Sequence, residues 1–185
     1  AAEVVRTLVN QGKAVRYLTN NSTATPEDVV RKLESWGFPV TPEWVATSGT
    51  VTATALAQLG IKRAFVVGEP ALEAALSNAG IQVSRTDDAE VVVAGLCRSF
   101  SYAGLNDALQ VLTKGAKLIA TNADPQLPVE GGAIRPGAGS IVAALEAASG
   151  QNATCYGKPS PTGVLELCQE MKLDPSEVVV VGDRY

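Results

Sequence analysis

A chain of 185 residues, 46% hydrophobic and 18% charged, can build one large or two small packed domains, and its composition is neither disordered nor fibrous. The formal charge of -4, with Lys and Arg scattered singly, provides no basic stripe for a nucleic-acid backbone, so that class of partner is excluded. The longest apolar runs, Val91-Val92-Val93-Ala94 and Val178-Val179-Val180-Val181, are strand-sized and far below the roughly 20 residues that cross a bilayer. Three cysteines, Cys97, Cys155 and Cys168, form no CxxC pair. An odd, unpaired set suits a reducing compartment, and a cytoplasmic location is expected.

Along the chain, β-branched runs alternate with helical spacing. Strands are expected at Ala14 to Leu18, Ala64 to Val67, Ile81 to Ser84, Val91 to Gly95, Leu118 to Thr121, Thr154 to Tyr156 and Val178 to Val181. Thr25 before Pro26 and Thr41 before Pro42 each place a capping hydroxyl ahead of a proline at the first helical position. Gly37, Gly60, Gly80 and Gly115 stand where left-handed helix ends belong. Continuous apolar strands alternating with helices predict an α/β fold with a parallel sheet covered on both faces. The stretch from Thr121 to Ser140 concentrates proline and glycine and reads as a long functional loop or hinge. We expect an α/β module over residues 60–151, inserted into a domain formed by residues 1–59 and 152–185.

Three polar clusters follow apolar strands, the position at which open α/β sheets bind ligands. After Leu18 comes Thr19-Asn20-Asn21-Ser22, a set of neutral donors that is equally suited to a plain turn into the Thr25 cap. After Tyr156 comes Gly157-Lys158-Pro159-Ser160-Pro161, in which two prolines flank one cation able to neutralise a phosphoryl oxygen. After the four valines comes Gly182-Asp183-Arg184-Tyr185, whose carboxylate suits a hard cation such as Mg2+. Neutral donors, one cation and one carboxylate together would serve phosphoryl transfer, in which positioning and charge neutralisation dominate.

The order and spelling of these clusters resemble the haloacid dehalogenase (HAD) superfamily, in its NagD-like, p-nitrophenylphosphatase-like and phosphoglycolate-phosphatase-like branch. "LTNNST" looks like the second motif, "GKPSP" like the third and "VVGDRY" like the start of the fourth. "GEPALEAALSNAGIQV", "FSYAGLNDAL", "IATNADPQLP" and "PGAGSIVAALEAASG" look like the α/β cap of that branch. The resemblance implies a Rossmann-like core, an aspartyl-phosphate intermediate and Mg2+. It implies that Thr19 hydrogen-bonds the transferring phosphoryl group, that Asn20 and Asn21 help hold phosphate and substrate, and that Lys158 binds the phosphoryl oxygens. Asp183 would coordinate Mg2+, and Arg184 falls where the motif continues toward substrate. Asn122 and Asp124 match a cap loop that faces the active site, in a substrate role or a structural one. A homodimer through the cap is implied as well.

The chain departs from the family pattern in three places. No DxDG tetrapeptide, the first motif with its nucleophile, stands in the sequence. It is expected upstream of Ala1, so that these residues resemble the middle of an enzyme and would be inactive alone. The fourth motif is cut at Tyr185, and Cys97 stands where related caps carry an acidic residue. With no histidine in the chain, Ser-His and Cys-His chemistry is excluded.

The leading expectation is an Mg2+-dependent phosphatase for small phosphomonoesters such as phosphoglycolate, glycerol phosphate, pyridoxal phosphate, nucleotide monophosphates or sugar phosphates. The competing expectation is a non-catalytic phosphate-binding or interaction module of the same fold. A dinucleotide site is disfavoured, because no GxGxxG follows a strand and "PGAGS" is the nearest glycine cluster.

Overall fold

The structure, a computed structural model, describes residues 1–182. Asp183 and Arg184 lie outside the described residues. The α/β expectation holds: parallel strands alternate with helices through the chain.

The first 59 residues build a short parallel ladder. Helix α1 (Ala2–Asn10) leads to β1 (Tyr17–Thr19), α2 (Pro26–Ser35), β2 (Val45–Thr47) and α3 (Ser48–Gln58). β1 and β2 pair in parallel, with Thr19 opposite Thr47. The Thr25 cap forms as expected: its side chain accepts from the backbone N–H of Asp28, and the Asp28 carboxylate accepts from the N–H of Thr25. Thr41-Pro42 instead opens a single 3-10 turn, Pro42–Trp44, without a side-chain cap bond. The chain re-enters a buried strand at Val45, so the turn has no room to lengthen into a helix.

The larger sheet has five parallel strands in the order β4-β3-β5-β6-β9. They are β3 (Arg63–Val67), β4 (Gln82–Ser84), β5 (Val91–Ala94), β6 (Lys117–Ala120) and β9 (Thr154–Cys155). β5 is buried throughout, as its unbroken apolar run requires of a strand covered on both faces. One face packs Val92, Leu118, Ala108, Leu112 and Leu145 together, carrying helices α5 (Tyr102–Thr113) and α6 (Ala138–Ser149). The other packs Val91, Val93, Leu72, Leu76 and Leu56, carrying α3 and α4 (Pro70–Asn78). A two-strand antiparallel hairpin, β7 (Gln126–Pro128) with β8 (Ile134–Pro136), rises from the Pro- and Gly-rich stretch. β9 pairs with β6, and α7 (Thr162–Met171) follows it and packs against α3.

Gly37, Gly60, Gly80 and Gly115 all have positive φ, as expected of helix ends. The expected strand at Val178–Val181 does not form among the described residues. Val179, Val180 and Val181 are 86%, 65% and 91% exposed. An apolar run states that a segment is suited to burial, but only a partner edge makes it a strand, and no described ladder runs beside this one.

Candidate phosphate site at the strand ends

Three parallel strands end close together, and the loops after them form the site. After β1 come Thr19, Asn20 and Asn21; after β6, Asn122 and Asp124; after β9, Gly157 and Lys158. Six of the sequence-predicted residues stand in this neighbourhood: Asn20, Asn122, Asp124 and Lys158 are hydrogen-bonded to one another, and Thr19 is bonded to the N–H of Asn21. Asp183 and Arg184 lie outside the described residues.

Lys158 is the cation of the group. Its Nζ donates to the carbonyl oxygen of Leu18 at 3.0 Å, which brings the ammonium back to the end of β1 beside Thr19. The Thr19 hydroxyl oxygen accepts from the N–H of Asn21 at 3.2 Å, leaving its proton available for an incoming oxygen. Asn21 is exposed, and its side-chain Oδ1 accepts from the N–H and the hydroxyl of Thr23, both at 2.9 Å. This turn orients the loop after β1.

Asn20 and Asn122 are bound into the protein. The Asn20 carboxamide oxygen accepts from the Lys158 N–H at 2.8 Å, and its nitrogen donates to the Lys158 carbonyl at 2.9 Å and to Asp124 Oδ2 at 3.0 Å. Asn122, 5% exposed, donates to the Asn20 carbonyl at 2.8 Å and accepts from the Asp124 N–H at 3.1 Å. The Asn122 side chain thereby ties the loop that carries Asp124 to the end of β1.

Two further residues shape the site: Ser48, which sequence reasoning did not single out, and Gly157, which it placed in a polar cluster without a role of its own. Ser48, at the start of α3, donates to the Asn20 carbonyl at 2.7 Å and closes the far side of the loop. Its only signal was a Thr-Ser pair after a buried strand. Gly157 is buried at the point where three segments touch: a Cβ there would collide with the Thr121 carbonyl oxygen and come within 3.1 Å of Asn20 Oδ1. Glycine is required by this close approach of backbones. Nearby, Ser22 and Thr121 are 3% and 0% exposed and their hydroxyls have no hydrogen-bond partner.

The site itself is a narrow crevice lined by Leu18, Thr19, Asn20, Ser48, Tyr156, Gly157, Lys158 and Ser160 among others. A larger cleft of about 450 Å³ adjoins it, sharing Val51 and Gly163, and lies between α3 and α7, where Glu166 has a buried, unpartnered carboxylate oxygen. Burial pushes the Glu166 carboxyl up to about 7. Burial, with the Asp124 charge adding to it and the bond to the Gly157 carbonyl opposing it, raises the Cys155 thiol. The Asp87-Asp88 pair sits in a turn. Asp88 accepts from the hydroxyls of Ser84 and Thr86 at 2.6 and 2.7 Å, which hold its carboxyl below the usual range.

An anion is what this donor set can hold: the Thr19 hydroxyl and the Lys158 ammonium at the end of β1. The described residues by themselves do not fit Mg2+, since no three of the described His, Cys, Asp or Glu side chains come together as a cage. The expectation of the ion rests on Asp183.

A family of haloacid dehalogenase-like hydrolases matches residues 1–82 of the chain. Over its whole length the chain is 35% identical to an acid sugar phosphatase of Staphylococcus haemolyticus, covering 70% of that protein, and 34% identical to a 5'-nucleotidase of Bacillus subtilis, covering 72%. The chain belongs to the haloacid dehalogenase-like hydrolases. Among solved structures, a thermostable NPPase double mutant from Geobacillus stearothermophilus superposes with a TM-score of 0.95 at 35% identity, covering all of this chain and 74% of that one. A p-nitrophenyl phosphatase from Archaeoglobus fulgidus gives 0.92 at 32% identity, covering 99% and 70%. These HAD-type phosphatases place the chain in the NagD-like branch that its motifs resemble.

Proposed function

We propose that this protein is a phosphatase of small organic phosphomonoesters, with the β1, β6 and β9 strand ends as the phosphate-binding wall. The observation that carries the reading is the Lys158 ammonium held at 3.0 Å on the Leu18 carbonyl, beside the Thr19 hydroxyl. The relatives are named for acid sugar, 5'-nucleotide and p-nitrophenyl substrates, three leaving groups joined to phosphate by a single ester. That spread supports recognition centred on the phosphoryl group.

In this reading Lys158 neutralises a non-bridging phosphoryl oxygen and Thr19 donates its hydroxyl to another, strengthening as charge gathers there. Asn21, exposed after β1, meets the leaving group. The loop carrying Asn122 and Asp124 covers one side and excludes water. The attacking carboxylate is not supplied by any DxDG in these residues. The aspartyl-phosphate and the Mg2+ held at Asp183 remain what the family resemblance implies, and no step here runs through the ion. Pairing of two copies through residues 60–151, and a cytoplasmic location, belong to the same proposal; no helix among the described residues is long and apolar enough to cross a membrane.

The test is hydrolysis of p-nitrophenyl phosphate, a sugar phosphate and a nucleoside monophosphate by the full-length gene product, with Mg2+ and again with excess EDTA. Turnover of at least two of the three, lost with EDTA, is expected. A full-length product that binds phosphate yet hydrolyses none of them would establish the non-catalytic module instead.

A further inference from the structure

We propose that Asn20 is a positioning residue that sets Lys158 and ties it to the Asp124 loop, rather than a ligand of the substrate; this rests on the phosphate site described above. A carboxamide offers two N–H donors and an acceptor oxygen, and Asn20 uses all three sides inside the protein. Its oxygen takes the Lys158 N–H at 2.8 Å, and its nitrogen gives one bond to the Lys158 carbonyl at 2.9 Å and one to Asp124 Oδ2 at 3.0 Å.

The pair of bonds to Lys158 grips one residue's backbone at both its N–H and its C=O. Rotation of that residue is blocked, and the direction in which its side chain leaves is fixed. The side chain runs back to the Leu18 carbonyl, only two residues before Asn20 itself, so the ammonium and its holder share one loop. The backbone of Asn20 is fixed in turn: its carbonyl accepts from Ser48 Oγ at 2.7 Å and Asn122 Nδ2 at 2.8 Å. Gly157 permits the arrangement, since any side chain there would drive the Lys158 segment off Asn20 and Thr121. Asn20 therefore acts through Lys158. The geometry also couples the two loops, because a shift of Asp124 pulls on the same amide that holds the lysine.

The experiment compares wild-type full-length protein with Asn20→Ala, Lys158→Ala and the double variant, using p-nitrophenyl phosphate, and measures amide hydrogen exchange at Lys158. Asn20→Ala is expected to lower kcat/KM by about 10- to 100-fold, the loss that follows a small misplacement of a catalytic group. In the Lys158→Ala background the same change is expected to have less than about a 3-fold effect, because its target is gone. Exchange of the Lys158 amide should quicken in Asn20→Ala. Losses that multiply in the double variant, or unchanged exchange at Lys158, would overturn the proposal. Should Asn20→Ala not fold, Asn20→Asp keeps the acceptor for the Lys158 N–H while removing both donors, and is expected to retain amide protection but lose activity. An inactive wild-type protein would refute the phosphatase reading, and the exchange comparison would still decide whether Asn20 holds Lys158.

Discussion

Glu166 is the residue most at odds with its surroundings. One carboxylate oxygen is buried without a partner on the wall of the α3–α7 cleft, and burial raises the group from its ordinary 4.5 to about 7. A raised carboxyl means that the fold favours the neutral form. Stability is therefore unaffected below about pH 4.5, falls as pH rises toward 7, and stays at the lower level above that. Partial solvent access screens the charge and holds the penalty to roughly 1 kcal/mol. Glu166→Gln is expected to raise Tm by about 2–4 °C at pH 8 and to leave it unchanged at pH 4.5, as calorimetry at the two pH values would show. An equal rise at both would mean that packing, and not charge, is responsible. At the site, the same distinction between what a residue is and what it touches separates Thr19, whose proton is available, from Asn122, whose amide is already given to Asn20. Residue type pointed correctly to donors in both cases. Which donors face a ligand depends on partners more than a hundred positions away, and spacing along the chain does not encode them.

The elements that hold the site meet at glycine. Gly157, between β9 and Lys158, touches the Thr121 carbonyl at the end of β6 and Asn20 at the end of β1. Gly157→Ala is expected to destabilise by about 1–3 kcal/mol, the range for forcing atoms into a packed interior, measured by urea unfolding. It should also weaken phosphate binding, since relief requires the Lys158 segment to move. Gly139 does the same on the other side: its N–H donates to the Asp124 carbonyl at 2.9 Å, so the start of α6 pins the loop that carries Asp124. These helix starts and strand ends were legible as types from periodicity, caps and glycine position. The Thr25 cap, the four left-handed glycines and six of the seven strands follow local chemistry that the sequence spells out. Thr41-Pro42 carries the same cap signal and gives only a 3-10 turn, because the buried strand at Val45 ends it.

Two parallel ladders turn their carboxyl ends toward one set of loops, and those ends carry two of the three polar clusters that the sequence places after its apolar runs, those after Leu18 and after Tyr156. Strand order was not legible: an apolar run reports burial on two faces and says nothing about which neighbour it pairs with. Val178–Val181 shows the limit, reading as a buried strand and standing exposed without a ladder. The pairing of β9 with β6 shows the gain, since it is this pairing that carries Gly157 and Lys158 to Thr121 and Asn20. The central claim is that this convergence binds a phosphoryl group. The most direct measurement is a titration of the 15N-labelled protein with inorganic phosphate, followed by amide shifts. Saturable shifts at Thr19, Asn21 and Lys158, lost in Lys158→Ala, are expected; shifts confined to the α3–α7 cleft, or none at those three residues, would contradict the account.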